Sequence, residues 1–137
     1  DHRDLHSFPT RRSSDLHILL WAAGAPERLP PEAVALIESE ENRLHFSAAS
    51  LWEITIKNDL GRPDFKVEPH LFRRGLIENG YAELPIISQH VLGLSHLPPI
   101  HKDPFDRILV AQAEYEGFLL LTADEKLARY SGPIHKV

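Results

Sequence analysis

His101-Lys102-Asp103-Pro104-Phe105-Asp106-Arg107 leads into the apolar run Ile108-Leu109-Val110-Ala111, and Phe118-Leu119-Leu120-Leu121-Thr122-Ala123-Asp124 follows it. Pro104 suits the first position of a helix and Asp103 the cap before it. Asp106 then lies three residues beyond the cap, with its carboxylate near the positive end of the helix dipole. Gly117 stops the helix. The continuous apolar run after it reads as a strand buried on both faces, which implies a parallel sheet covered by helices. Asp124 follows the end of that strand. In open parallel sheets the ligand crevice lies beyond the carboxyl ends of the strands, so acidic turns gathered there suit a divalent cation. Asp103 with Asp106, and Thr122-Ala123-Asp124-Glu125, also have the pattern of capping boxes, in which the carboxylates satisfy backbone N–H groups.

Composition narrows the functional classes. At 137 residues, 42% hydrophobic and 26% charged, the chain fits one soluble globular domain with a two- or three-layer core. It has no cysteine, which excludes thiolate zinc sites, cysteine nucleophiles and disulfides and agrees with a reducing, cytoplasmic setting. No apolar stretch approaches the roughly 20 residues a membrane-spanning helix needs. There is no methionine either, so the chain reads as a fragment or a processed product.

Residues 1–16, from Asp1 to Leu16, look foreign to the remainder. They are polar, lack periodicity, and resemble the in-frame translation of a sequencing adaptor, a non-native segment to be left out of fold reasoning. Within it Asp1, Asp4 and Asp15 balance Arg3, Arg11 and Arg12, so residues 17–137 carry the whole net charge of -5.

From His17 onward helices alternate with strands. A short helix over His17–Ala23 closes at Gly24, and Pro30-Pro31 open a second that runs to about Glu40 with Val34, Leu36 and Ile37 turned inward. Leu44-His45-Phe46 reads as a strand, and Ser47 caps a helix over Ala48–Asp59. A loop over Arg62–Val67 precedes a helix from Pro69 to Gly80. A strand is expected within Tyr81–Ile87, a short helix from Ser88 to about Ser95, and a last strand over Ile134–Val137. The pattern gives an α/β sandwich with a mostly parallel central sheet flanked by helices.

Glu53 sits one and a half turns inside the helix that Ser47 caps, among Leu51, Trp52, Ile54 and Ile56. It is either exposed and paired with Lys57 at i+4 or turned toward a site.

Four blocks together resemble the PIN-domain family and, within it, the VapC-type toxins of bacterial toxin–antitoxin pairs. They are Asp15-Leu16-His17-Ile18-Leu19-Leu20-Trp21, Ser47 to Lys57 with Trp52-Glu53, His101 to Arg107 with the helix behind it, and Leu120-Leu121-Thr122-Ala123-Asp124. The resemblance covers residues 17–137, with Asp15 just ahead of them. It implies a single PIN-like domain with a metal-dependent ribonuclease activity. Asp15, Glu53, Asp106 and Asp124 would form the catalytic acidic cluster, with Asp103 as an additional metal-site member and Mg2+ or Mn2+ as the cofactor. The implied partners are RNA, a cognate antitoxin and a second copy of the chain.

In the family the first block begins with an apolar strand. Here Thr10-Arg11-Arg12-Ser13-Ser14 stands in its place, and two arginines in a central strand are expected to carry a burial penalty. The chain is therefore expected to be poorly folded or inactive, and one bearing the family's apolar first strand to be active. Candidate phosphate contacts are Lys57, Arg62, Lys66, Arg73, Arg74, Lys102 and, above all, Arg107. His17, His45 and His101 read as structural or hydrogen-bonding, and Trp21 and Trp52 as core or partner-facing. A noncatalytic RNA- or antitoxin-binding module of the same fold is the alternative function. A different phosphate-handling α/β enzyme is disfavoured by the lack of a Gly-rich phosphate loop.

Overall fold

The computed structural model describes residues 9–63 and 65–137. Residues 1–8 of the segment read as adaptor-derived lie outside them. Five strands form one parallel sheet: β1 (Thr10–Ser14), β2 (Asn42–Ser47), β3 (Ala82–Leu84), β4 (Leu119–Thr122) and β5 (Ile134–Lys136). Six helices surround it: α1 (Leu16–Gly24), α2 (Pro31–Glu38), α3 (Ala48–Asp59), α4 (Pro69–Glu78), α5 (Ser88–Gly93) and α6 (Pro104–Glu116). No helix among the described residues is long and apolar enough to cross a membrane.

The strand order is β3-β2-β1-β4-β5, and every pairing is parallel. β1 is the central strand, flanked by β2 on one side and β4 on the other. The chain leaves β1 toward β2 and later returns to pair on its opposite edge, so a topological switch point falls between β1 and β4. Asp15 follows the end of β1, and Thr122 is the last residue of β4.

Both faces of the sheet are covered. Leu120 packs with Leu109, Val110 and Ala113 of α6, whereas its neighbour Leu121 packs with Ile18 of α1 and Ala33 of α2. Successive strand residues point to opposite faces, so α6 and the α1/α2 pair lie on opposite sides. Phe46 of β2 anchors a further cluster with Leu16 and Leu19 of α1, Ile54 of α3, and Phe72 and Leu76 of α4. Local chemistry sets the boundaries. Asp15, Ser47 and Asp103 accept backbone N–H bonds as caps of α1, α3 and α6, and Gly117 terminates α6 at φ 73°, a left-handed conformation that glycine adopts without a Cβ clash.

Several elements differ from the sequence expectation. The expected strand over Tyr81–Ile87 contracts to Ala82–Leu84, because Pro85 has no N–H to continue the ladder. In α2 the fully buried residue is Ala33, with Leu36 and Ile37 only partly covered. Thr10–Ser14, which the sequence reading set aside, forms the middle strand, and its arginines are not left without partners. Arg12 is 8% exposed, and its Nε donates to Asn42 Oδ1 at 2.8 Å while Nη1 lies 3.0 Å from His135 Nδ1. Arg11 donates to the Glu116 carbonyl and lays its guanidinium over the Phe118 ring, 4.6 Å from the centroid.

Candidate metal centre

Asp15 directly follows β1 and caps α1. One carboxylate oxygen, Oδ1, accepts the Ile18 N–H at 3.1 Å, and the other accepts the Thr122 hydroxyl at 2.5 Å. The side chain is buried, which pushes its pKa up; the bonds from Thr122 and Ile18 oppose that shift, and the charge of Asp124 adds to it. Thr122 Oγ1 in turn accepts the Asp124 N–H at 2.9 Å, so one hydroxyl ties together the acidic ends of neighbouring strands. Asp124 Oδ1 accepts the Lys126 N–H at 2.7 Å.

Asp103 behaves as the cap its position predicts, with Oδ1 accepting from Phe105 at 2.8 Å and Asp106 at 3.3 Å. Asp106 projects from the first turn of α6 into the space between the strand ends. Its carboxyl is pushed up to about 8, first by burial and then by the negative fields of Asp103, Asp15, Glu53 and Asp124. All the acids selected from the sequence therefore act on this one group. Asp106 and Asp124 also meet His101, and one ligand-capable atom from each lies within 4.8 Å of the others.

Glu53 makes the expected i+4 pair with Lys57, but as a buried and not an exposed group. It is buried, 5% exposed, and its carboxylate is 2.9 Å from Lys57 Nζ, which lies 5.7 Å from the Phe65 ring centroid. Burial of an unpaired carboxylate is costly, and the lysine one turn later offsets part of that cost.

The candidate phosphate contacts divide. Lys102 is exposed. Lys57 is engaged by Glu53, and Arg73 donates to Glu83 at 2.7 Å. Arg107, the foremost of them in sequence, turns away from solvent: Nη1 donates to the Pro98 carbonyl at 3.1 Å and the Tyr130 hydroxyl at 3.3 Å, and Nη2 to the Leu94 carbonyl at 3.2 Å. It braces the chain that leads into α6.

Two residues of the centre were not selected from the sequence. Thr122 carried a signal, since a hydroxyl ending a fully buried Leu-Leu-Leu-Thr strand needs a partner. His101 was read as structural or hydrogen-bonding, and it does accept the Asp103 N–H; its approach to Asp106 and Asp124 was not foreseen.

The donor set suits a hard dication. Mg2+ and Mn2+ take carboxylate oxygen and water, and the upward push on Asp106 from burial and four neighbouring acids is the excess of negative charge that a dication would relieve. Of the acids selected from the sequence, the structure brings Asp106 and Asp124 together, with His101, within ligand reach of one point; Asp15, Glu53 and Asp103 are not in that group and enter through their fields on Asp106.

Residues 15–133 match the family model described as "PIN domain". No curated protein sequence matches the chain. Among solved structures, "Crystal structure of VapBC2 from Rickettsia felis bound to a DNA fragment from their promoter" is similar over 93% of this chain and 98% of that chain, with a TM-score of 0.66 and 12% sequence identity. That likeness is one of fold. With a family model that spans most of its length, the chain belongs to the PIN domain family.

Proposed function

We propose that this chain is a Mg2+- or Mn2+-dependent endoribonuclease of the VapC type, held in check by a cognate antitoxin. The observation that carries the reading is the convergence of Asp106 and Asp124, with His101, to within 4.8 Å of one another, where burial and the charges of Asp103, Asp15, Glu53 and Asp124 push the Asp106 carboxyl up. Strongly perturbed groups at a cleft mark functional sites, and clustered carboxylates are stabilised when a dication neutralises them. Such a cation supplies a water of lowered pKa and a positive charge beside the phosphodiester.

The protein's own groups hold and orient. Asp15 and Asp124 are fixed through Thr122, Asp106 by the first turn of α6, and Glu53 by α3. Rigid elements of this kind fix the geometry of in-line attack, which depends on positioning and charge neutralisation more than on covalent chemistry. Lys102 and Lys57 are the side chains we assign to the RNA backbone. Arg107 is assigned to the same face through the chain it braces, without direct phosphate contact. The antitoxin assignment rests on the likeness to a VapBC2 toxin–antitoxin structure; a cytoplasmic setting and a homodimer belong to the same reading.

The test is incubation with structured RNAs in Mg2+ or Mn2+, with chelator as the control. Cleavage that stops with chelator and with Asp106→Asn supports the assignment. Cleavage indifferent to both contradicts it, and metal-dependent RNA binding without cleavage favours the binding module.

A further inference from the structure

His101 stands where the chain enters α6. Its Nδ1 accepts the Asp103 N–H at 3.3 Å, so the neutral ring carries its hydrogen on Nε2. That nitrogen is buried, 2.9 Å from Asp106 Oδ2 and 3.9 Å from Asp124 Oδ2. Its approach to Asp106 is oblique, and it completes no well-formed hydrogen bond among the described residues. A buried N–H donor therefore lies beside two acidic side chains.

The backbone of His101 is itself held. Its N–H donates to the Tyr130 hydroxyl at 3.1 Å, and its carbonyl lies 3.5 Å from both that hydroxyl and Arg107 Nη1. Arg107 also reaches Tyr130 and the carbonyls of Leu94 and Pro98. Contacts thus run from the Leu94–Pro98 chain through Arg107 and Tyr130 to the imidazole and on to the two acids.

We propose that His101 is a positioning residue of the acidic cluster, its Nε2–H setting the separation at which Asp106 and Asp124 share a divalent cation. The proposal deepens the nuclease reading and rests on its metal site. Direct ligation through Nε2 is disfavoured, because it requires a bare Nε2 and a hydrogen on Nδ1, where the Asp103 N–H already points. Groups that hydrogen-bond metal ligands orient them, and losing one typically weakens metal binding about 10–100-fold.

The test is Mn2+ binding to the full chain, followed by electron paramagnetic resonance, for the parent, His101→Ala, His101→Gln and Asp106→Asn. A glutamine amide can accept from Asp103 and present an N–H donor beside Asp106. The expected result is a loss of about 10–100-fold for His101→Ala, most of the affinity kept by His101→Gln, and no directly bonded nitrogen in the parent's pulsed spectrum. Thermal melts accompany each variant; if His101→Ala does not fold, His101→Gln and the parent spectrum decide. Parent-like binding by His101→Ala, His101→Gln as weak as His101→Ala, or a bonded imidazole nitrogen overturns the proposal. Parent-like Mn2+ binding by Asp106→Asn overturns the metal site itself, and the positioning role falls with it.

Discussion

The Thr122 hydroxyl donates to Asp15 Oδ2 at 2.5 Å and accepts the Asp124 N–H at 2.9 Å. A single fully buried side chain thus joins two acids that lie more than a hundred residues apart and fixes them at neighbouring strand ends.

Thr122→Val keeps the shape and removes the hydroxyl. It leaves the Asp15 carboxylate and the Asp124 N–H without that partner, and such losses typically cost about 1–3 kcal/mol. Urea unfolding in chelator is expected to show that loss for Thr122→Val and little loss for Thr122→Ser. Parent-like stability of the valine variant would contradict the bridging role.

The Asp106 carboxyl titrates near 8 in the folded protein against an ordinary value of 3.8. Between these values the unfolded chain has released a proton that the native state still binds, so this group's contribution to stability falls as pH rises. It is fully present below 3.8 and lost once pH passes about 8. Thermal melts in chelator are expected to move downward from pH 5 to pH 8. Asp106→Asn is expected to flatten the trend and to melt above the parent at pH 8. Mn2+ affinity is expected to climb over the same range, since the ligand must release its proton. A melting temperature that rises with pH, with no change in slope for Asp106→Asn, would contradict the assignment.

Arg107 holds carbonyls of the chain before α6, and lysine cannot reproduce its forked geometry. Arg107→Lys is expected to be destabilised by at least about 1 kcal/mol, the scale of one lost bond to a charged group. The salt dependence of RNA binding is expected to be unchanged, because no phosphate contact is removed; Lys102→Ala is expected to reduce that slope by about 1. A reduced slope for Arg107→Lys at parent-like stability would return Arg107 to direct phosphate contact.

We propose that Thr10–Ser14 is part of a non-native segment, residues 1–16, occupying the place of an apolar strand. Arg12 keeps its charge in the sheet through Asn42 and His135; burial lowers its pKa and Glu32 opposes the shift. Well-packed apolar replacement of buried ion networks is often neutral or stabilising by about 1–4 kcal/mol. A chain with valine or isoleucine at positions 11 and 12 is therefore expected to melt higher than the parent. An equal or lower melt would show that the arginine contacts fully offset their desolvation.

The acids were legible because their positions follow from local rules. Asp103 and Asp106 are fixed by a Pro-led helix start, Asp124 by the end of a buried strand, and Ser47 sets the phase that turns Glu53 inward. What was not legible depends on partners distant in sequence. Arg107 reads as a free cation until Tyr130 and the Leu94–Pro98 carbonyls fold around it, and the hydrogen-bonding role read for His101 has no named partner until Asp103, Asp106 and Asp124 gather beside it. Arg11 and Arg12 read as misplaced charges because Phe118, Asn42 and His135 become their neighbours only in the sheet.

Anomalous diffraction from crystals of the full chain grown with Mn2+ tests the central claim most directly, which is that Asp15, Glu53, Asp106 and Asp124 share a hard dication. The account predicts a Mn2+ peak bonded to oxygens of Asp106 and Asp124 at the carboxyl ends of β1 and β4, absent in Asp106→Asn. Ordered carboxylates with no peak between them, or a peak elsewhere on the surface, would contradict it.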